Sequence, residues 1–133
     1  MSSHAKGPFQ VTLTPAGAPD EGDGSSLGAL TIAKVFHGDL EGTSRGTMLT
    51  ASSTGTPGSA AYVAVERVDG VLGGKHGSFS LVHRGVMSGA GRDLVITIVP
   101  DSGAGELTGI SGSMTIAIAE GGAHSYELSY TLP

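Results

Sequence analysis

Gly70-Val71-Leu72-Gly73-Gly74-Lys75-His76-Gly77-Ser78-Phe79 and Gly105-Glu106-Leu107-Thr108-Gly109-Ile110-Ser111-Gly112-Ser113-Met114 share one pattern, G-x-L-x-G-x-x-G-S-Φ, with Φ apolar. Gly38-Asp39-Leu40-Glu41-Gly42 followed by Gly46-Thr47-Met48 carries the same pattern with one residue added. The copies begin at residues 38, 70 and 105, and periods of roughly 20–50 residues mark a repeated supersecondary unit. Each copy reads as a strand end, a glycine turn and the start of the next strand. Repeated glycine bends are what closing a sheet requires.

Helical periodicity is almost absent, and valine, isoleucine and threonine recur in short runs broken by glycine, as pleated strands demand. The sequence predicts eight strands, at about 7–13, 28–37, 41–52, 60–71, 75–87, 92–100, 107–119 and 123–132. The fold expected is all-β, an eight-stranded antiparallel barrel in a single domain over 1–133, with a flexible N-terminal tail and a mobile loop at 14–26, a stretch rich in proline, glycine and acid.

Alternation assigns faces. His124, Tyr126, Leu128 and Tyr130 should face in, and Ser125, Glu127, Ser129 and Thr131 should face water. Phe79, Leu81 and His83 share an inward face, as do Leu30, Ile32, Lys34 and Phe36, which carries Lys34 inside. Around Val63 and Val65, Val95 and Val99, and Ala117 and Ala119, both faces are apolar. Such strands need cover on both sides, which predicts a homodimer or homotrimer.

Composition narrows the function classes. Net charge is −5 and only 14% of residues are charged, with no basic run and no tryptophan. A nucleic-acid partner would be repelled. Cysteine is absent, which removes disulfides, thiolate metal sites and cysteine nucleophiles. Residues 1–10 lack the apolar core of a secretion signal, and no apolar run is long enough to span a bilayer as a helix. A cytoplasmic protein with no membrane partner is expected.

Three motif-like patterns dissolve on inspection. Gly42-Thr43-Ser44-Arg45-Gly46 fits G-x-S-x-G, but a nucleophile elbow needs a helix after it, and a glycine hairpin corner suits the surroundings better. Gly103-Ala104-Gly105 through Gly109 has the wrong spacing for a dinucleotide loop and no following helix. Of five histidines only His83 and His124 point inward together, short of the three ligands a catalytic zinc takes. No metal and no cofactor are expected.

What remains is a polar set on apolar inward faces, which is expensive unless paired or used. His83 and Glu66 are the candidates for acid–base chemistry. Tyr62, Tyr126 and Tyr130 would line a cavity, His124 would orient a ligand, and Glu106 would sit near the mouth or cap a turn. The function this suggests is binding of a small, largely apolar molecule inside the barrel, with cofactor-independent isomerisation or cyclisation as the accompanying chemistry. The alternative is a non-catalytic binding protein, or a structural oligomer whose polar network only fixes register in a filled core.

Gly38-Asp39-Leu40-Glu41-Gly42, Tyr62-Val63-Ala64-Val65-Glu66-Arg67, Gly77-Ser78-Phe79 with His83, Pro100-Asp101-Ser102-Gly103-Ala104-Gly105-Glu106-Leu107-Thr108-Gly109, and His124-Ser125-Tyr126 with Tyr130 resemble a bacterial family of domains of unknown function. Its members are similar to the allene oxide cyclase barrel. The resemblance spans about residues 28–132, with Ala104 standing where the family pattern has threonine. It implies an eight-stranded barrel, often oligomeric, with a central cavity. The plant cyclase takes a fatty-acid epoxide and related bacterial barrels cyclise polyketides. The plant enzyme's active-site motif does not map onto this chain, so the resemblance implies a fold without implying a reaction.

Overall fold

The computed structural model describes residues 2–133. Its strands are β1 (Ser3–Pro15), β2 (Asp20–Glu21), β3 (Ser25–Phe36), β4 (Leu40–Ser53), β5 (Ala60–Leu72), β6 (Lys75–Ser88), β7 (Gly91–Ile98), β8 (Ala104–Gly105), β9 (Ser111–Ile118) and β10 (His124–Thr131). All pairings are antiparallel, and β1 pairs both β10 and β3, so the eight long strands close on themselves. Neighbours around the ring are neighbours along the chain except where β10 meets β1. This is the up-and-down barrel, in which every long strand has a neighbour on both sides, the β7–β9 seam being held by the Ile96–Met114 and Thr97–Ser113 pairs alone. Among the described residues no helix is long and apolar enough to cross a membrane.

Two expectations are corrected here. The N-terminus is not a tail: β1 begins at Ser3, with Ala5 and Phe9 buried, and its first half pairs β10 while its second half pairs β3. Residues 3–6 hold a single small apolar side chain, Ala5, and so carry no strand signal in the sequence. In the 14–26 stretch, β1 continues to Pro15 and Asp20–Glu21 pairs with Ser26 and Leu27.

The strand expected from 107 begins at Ser111. Leu107 and Ile110 are buried, but in the turns of the β7–β9 connection, which folds beneath the barrel. This explains the sequence repeat. Leu40, Leu72 and Leu107, the leucines of its three copies, are each at most 1% exposed, and they share one cluster with Phe36, Phe79 and Leu128. The repeat therefore supplies three apolar plugs to one end, and that end is sealed. Gly42 and Gly70 face each other across β4 and β5, and a Cβ on either would run into the partner strand's carbonyl. Only glycine permits that approach beneath the core.

The outer face is unusual. Leu49, Val63, Val65, Val82, Val86 and Val95 on β4–β7 are 38–56% exposed and lie in adjacent rows, Leu49 opposite Val63 and Val65 opposite Val82.

Leu107→Ala is expected to lower the free energy of unfolding by about 2–5 kcal/mol, whereas Thr115→Ala on the exposed side of β9 should stay within about 0.5 kcal/mol. Urea titration of both variants checks the assignment, since an ordinary loop leucine would behave like Thr115.

Candidate functional site

The inward faces of β3, β4, β5 and β6 bring four polar side chains to one height. Lys34 on β3 lies opposite Ser44 on β4, and Gly46 two residues on lies opposite Glu66 on β5. His83 on β6 lies opposite Ala64, two residues before Glu66. Lys34, Ser44, Glu66 and His83 are at most 6% exposed.

Glu66 is the hub. Its Oε2 accepts a hydrogen bond from Lys34 Nζ at 2.9 Å, and its Oε1 accepts one from Ser44 Oγ at 2.9 Å. His83 Nε2 stands 2.8 Å from Oε2 but has no well-aligned acceptor, so it is held against the carboxylate without a fully formed bond. Gly46 makes the arrangement fit: a Cβ there would lie 2.7 Å from the Glu66 Cβ and meet the Val65 carbonyl. Burial pushes the Glu66 carboxyl up, but the His83 contact and the Lys34 charge outweigh it and bring the pKa down to about 2. Glu66 is thus a fixed anion. Lys34 also sits over the Phe9 and Phe36 rings, 5.2 and 5.9 Å from their centroids, a cation–π arrangement.

Above this network the barrel is open. A cavity of about 150 Å³ is walled by Phe9, Ile32, Met48, Leu94 and Ile116, with Lys34, Tyr62, His83, Arg92 and His124 as its polar lining. Tyr62 lies over Gly85, where a Cβ would collide with its ring, and its ring centroid is 6.3 Å from that of His83. Burial raises the Tyr62 pKa, Arg92 opposes that rise and Glu66 adds to it, so the phenol stays protonated. His124 packs on Phe9 at 5.3 Å between centroids. Among the described residues no three His, Asp or Glu side chains converge as a metal cluster would.

The seven candidate residues therefore meet only in part. Tyr62, His83 and His124 line the cavity, and Glu66 lies beneath it. Tyr126 lies lower: its hydroxyl donates to the His37 carbonyl at 2.7 Å and accepts from Leu40 N–H at 2.9 Å, tying β10 to the β3–β4 turn. Tyr130 borders a separate surface hollow near Gly38 and Gly73. Glu106 accepts from the His76 N–H at 2.9 Å in a turn, the capping option. Sequence reasoning had Lys34 inward from its alternation but missed Ser44 and Arg92. Ser44 was hidden inside what read as a hairpin corner; residues 42–46 in fact run through β4, with the glycines flanking a buried serine. Arg92 is exposed at the start of β7 and carries no signal in the pattern.

A family model described as "Protein of unknown function (DUF3224)" matches residues 5–130. A crystal structure of a protein with unknown function from that family, from Shewanella oneidensis MR-1, is similar at 45% identity and a TM-score of 0.92, with 100% of this chain and 99% of that chain covered. No curated protein matches the chain.

Because the folded pKa of Glu66 lies below its ordinary 4.5, its contribution to stability is present above that value and is lost as pH falls through about 2. Glu66→Gln should remove this acid-sensitive component and, by stranding Lys34, destabilise the neutral protein by about 3–5 kcal/mol. The double variant Lys34→Met/Glu66→Leu should recover much of that loss. Denaturant unfolding of the three proteins from pH 7 to pH 3 checks both statements.

Proposed function

The chain belongs to the DUF3224 family of proteins of unknown function, and from that premise we propose that its barrel is a cup that binds a small, largely apolar molecule above the Lys34–Glu66–His83 network. The supporting observation is a buried, incompletely bonded histidine in the lining of an apolar cavity. A network serving only stability would gain from replacement by packed aliphatic side chains. Here it closes the floor of an open space instead of filling it. At about 150 Å³ the cup is below the roughly 300–1,000 Å³ of drug-sized sites. It suits one ring or a short branched chain, with anything longer leaving through the mouth.

The chemistry this arrangement supports is proton transfer without a cofactor. His83, pressed against the Glu66 anion, is the group to take a proton from a bound carbon acid and return it elsewhere on the same molecule, an isomerisation that balances without a co-reactant. Lys34 would stabilise negative charge developing on an oxygen, and the protonated Tyr62 phenol would donate a hydrogen bond to it. Glu66 then orients His83 and holds Lys34; with both carboxylate oxygens engaged it is poorly suited to act as the base itself. His124 would set the ligand's pose. The engaged state of Glu66 also favours a second reading, a carrier with the same cup and no turnover.

We further propose that a second or third copy of the chain covers the apolar outer face of β4–β7, and that the protein works in the cytoplasm, where a chain without cysteine needs no oxidising compartment.

In single-turnover experiments on a bound small ketone or enone, His83→Gln should retain binding and lose about a hundredfold or more in rate; release of unchanged ligand by the wild type would establish the carrier. Sedimentation should give a dimer or trimer at micromolar concentration, reduced to monomer by Val63→Glu with the fold intact. A monomeric wild type would remove the assembly.

A further inference from the structure

The cup's charges do not balance. Its lining holds two basic side chains, Lys34 and Arg92, and no Asp or Glu is among the residues that line it. Lys34 is neutralised one to one by Glu66 beneath it. Arg92 is not neutralised: none of the ion pairs among the described residues involves it. Its neighbour Asp93 faces the outside and pairs with Arg84 at 3.3 Å. The Arg92 guanidinium reaches across to β9, where one nitrogen lies 3.5 Å from the Ile116 carbonyl, a long and weak contact. Its charge is nonetheless felt at the Tyr62 phenol inside the cup. The acids at this end, Asp20 and Glu21 on β2 and Asp23 and Glu120 in bends and turns, are exposed and do not line the cavity.

We infer that the molecule taken by the cup is a small organic acid, its apolar body inside the barrel and its single carboxylate at the mouth on Arg92. This rests on the cup reading above and deepens it. An arginine fork matches a carboxylate in a bidentate pair, and its position at the rim leaves the anion partly solvated, avoiding the cost of burying it. The polarity of binding follows. The apolar end enters first, past Leu94 and Ile116, and comes to rest over His83, while Leu13 and Ile118, 45% and 50% exposed at the mouth, cover the part that protrudes. The proton-transfer centre then faces the carbons farthest from the carboxylate.

The test uses an isosteric pair, phenylacetate and phenylacetamide, titrated at pH 8, where an ordinary histidine is neutral. Binding is followed by the ring resonances of His83 and His124 in the full-length protein. Phenylacetate should bind about tenfold more tightly than the amide, and added salt should narrow the gap. Arg92→Gln, a change at an exposed position, should abolish the preference by weakening phenylacetate far more than the amide, with thermal stability unchanged. Equal binding of the two probes to the wild type would overturn the acid inference and leave the cup intact. Failure of both probes to bind would instead remove the cup reading and this inference with it. A preference that survives Arg92→Gln would move the carboxylate away from Arg92 and also overturn it.

Discussion

A carboxylate buried inside a β-barrel is tolerated only if every neighbour is arranged around it, and Glu66 imposes that condition on four strands. Its two oxygens are satisfied from β3 and β4, and His83 is brought to it from β6. Desolvating such a group costs several kcal/mol unless geometry and counter-charge are both right. The register of β3–β6 is therefore fixed by more than apolar alternation: a slip of one residue would turn Lys34, Glu66 or His83 toward water and leave its partners charged in the core. Gly46 belongs to the same constraint, because a Cβ there would run into the Val65 carbonyl and the Cα and Cβ of Glu66.

The network also divides the interior. Below it, leucines from the three sequence repeats meet aromatic side chains and seal one end. Above it, Tyr62, His83 and His124 share walls with aliphatic side chains around a space no side chain fills. An eight-stranded barrel has room for its side chains or for one small ligand, and in this chain one end is filled and the other holds a cavity. The Tyr126 hydroxyl, bonded to the backbone around His37 and Leu40, anchors the sealed half.

The barrel was legible in the sequence because period-two alternation and glycine bends are local signals. On β10 the inward set His124, Tyr126, Leu128 and Tyr130 emerged from alternation alone. Height along the barrel axis is a different matter. Tyr130 follows His124 by six residues, about 20 Å of strand, so two side chains on one face stand at opposite ends. Only the register, set by pairing distant strands, separates the cavity residues from Tyr126 and Tyr130. Leu107 and Ile110 misled for a related reason: an apolar residue in a turn that plugs a barrel looks like one in a strand. Arg92 was invisible because an exposed arginine at a strand start acquires meaning only from what lies beneath it. Lys34 was legible as a charge on an apolar face, but its partner could be found only once β3 and β5 were set on either side of β4.

Everything above the floor depends on Glu66 remaining an anion in the core, since a neutral carboxyl would hold neither Lys34 nor His83 by charge. The direct measurement is the ¹³C chemical shift of the Glu66 side-chain carboxyl as a function of pH. The account requires the shift to stay at its ionised value well below the ordinary 4.5, with a midpoint near 2 or no midpoint before acid unfolding. A midpoint at or above 4.5 would mean that burial prevails over the Lys34 and His83 contacts, and the charged floor of the cup would be contradicted.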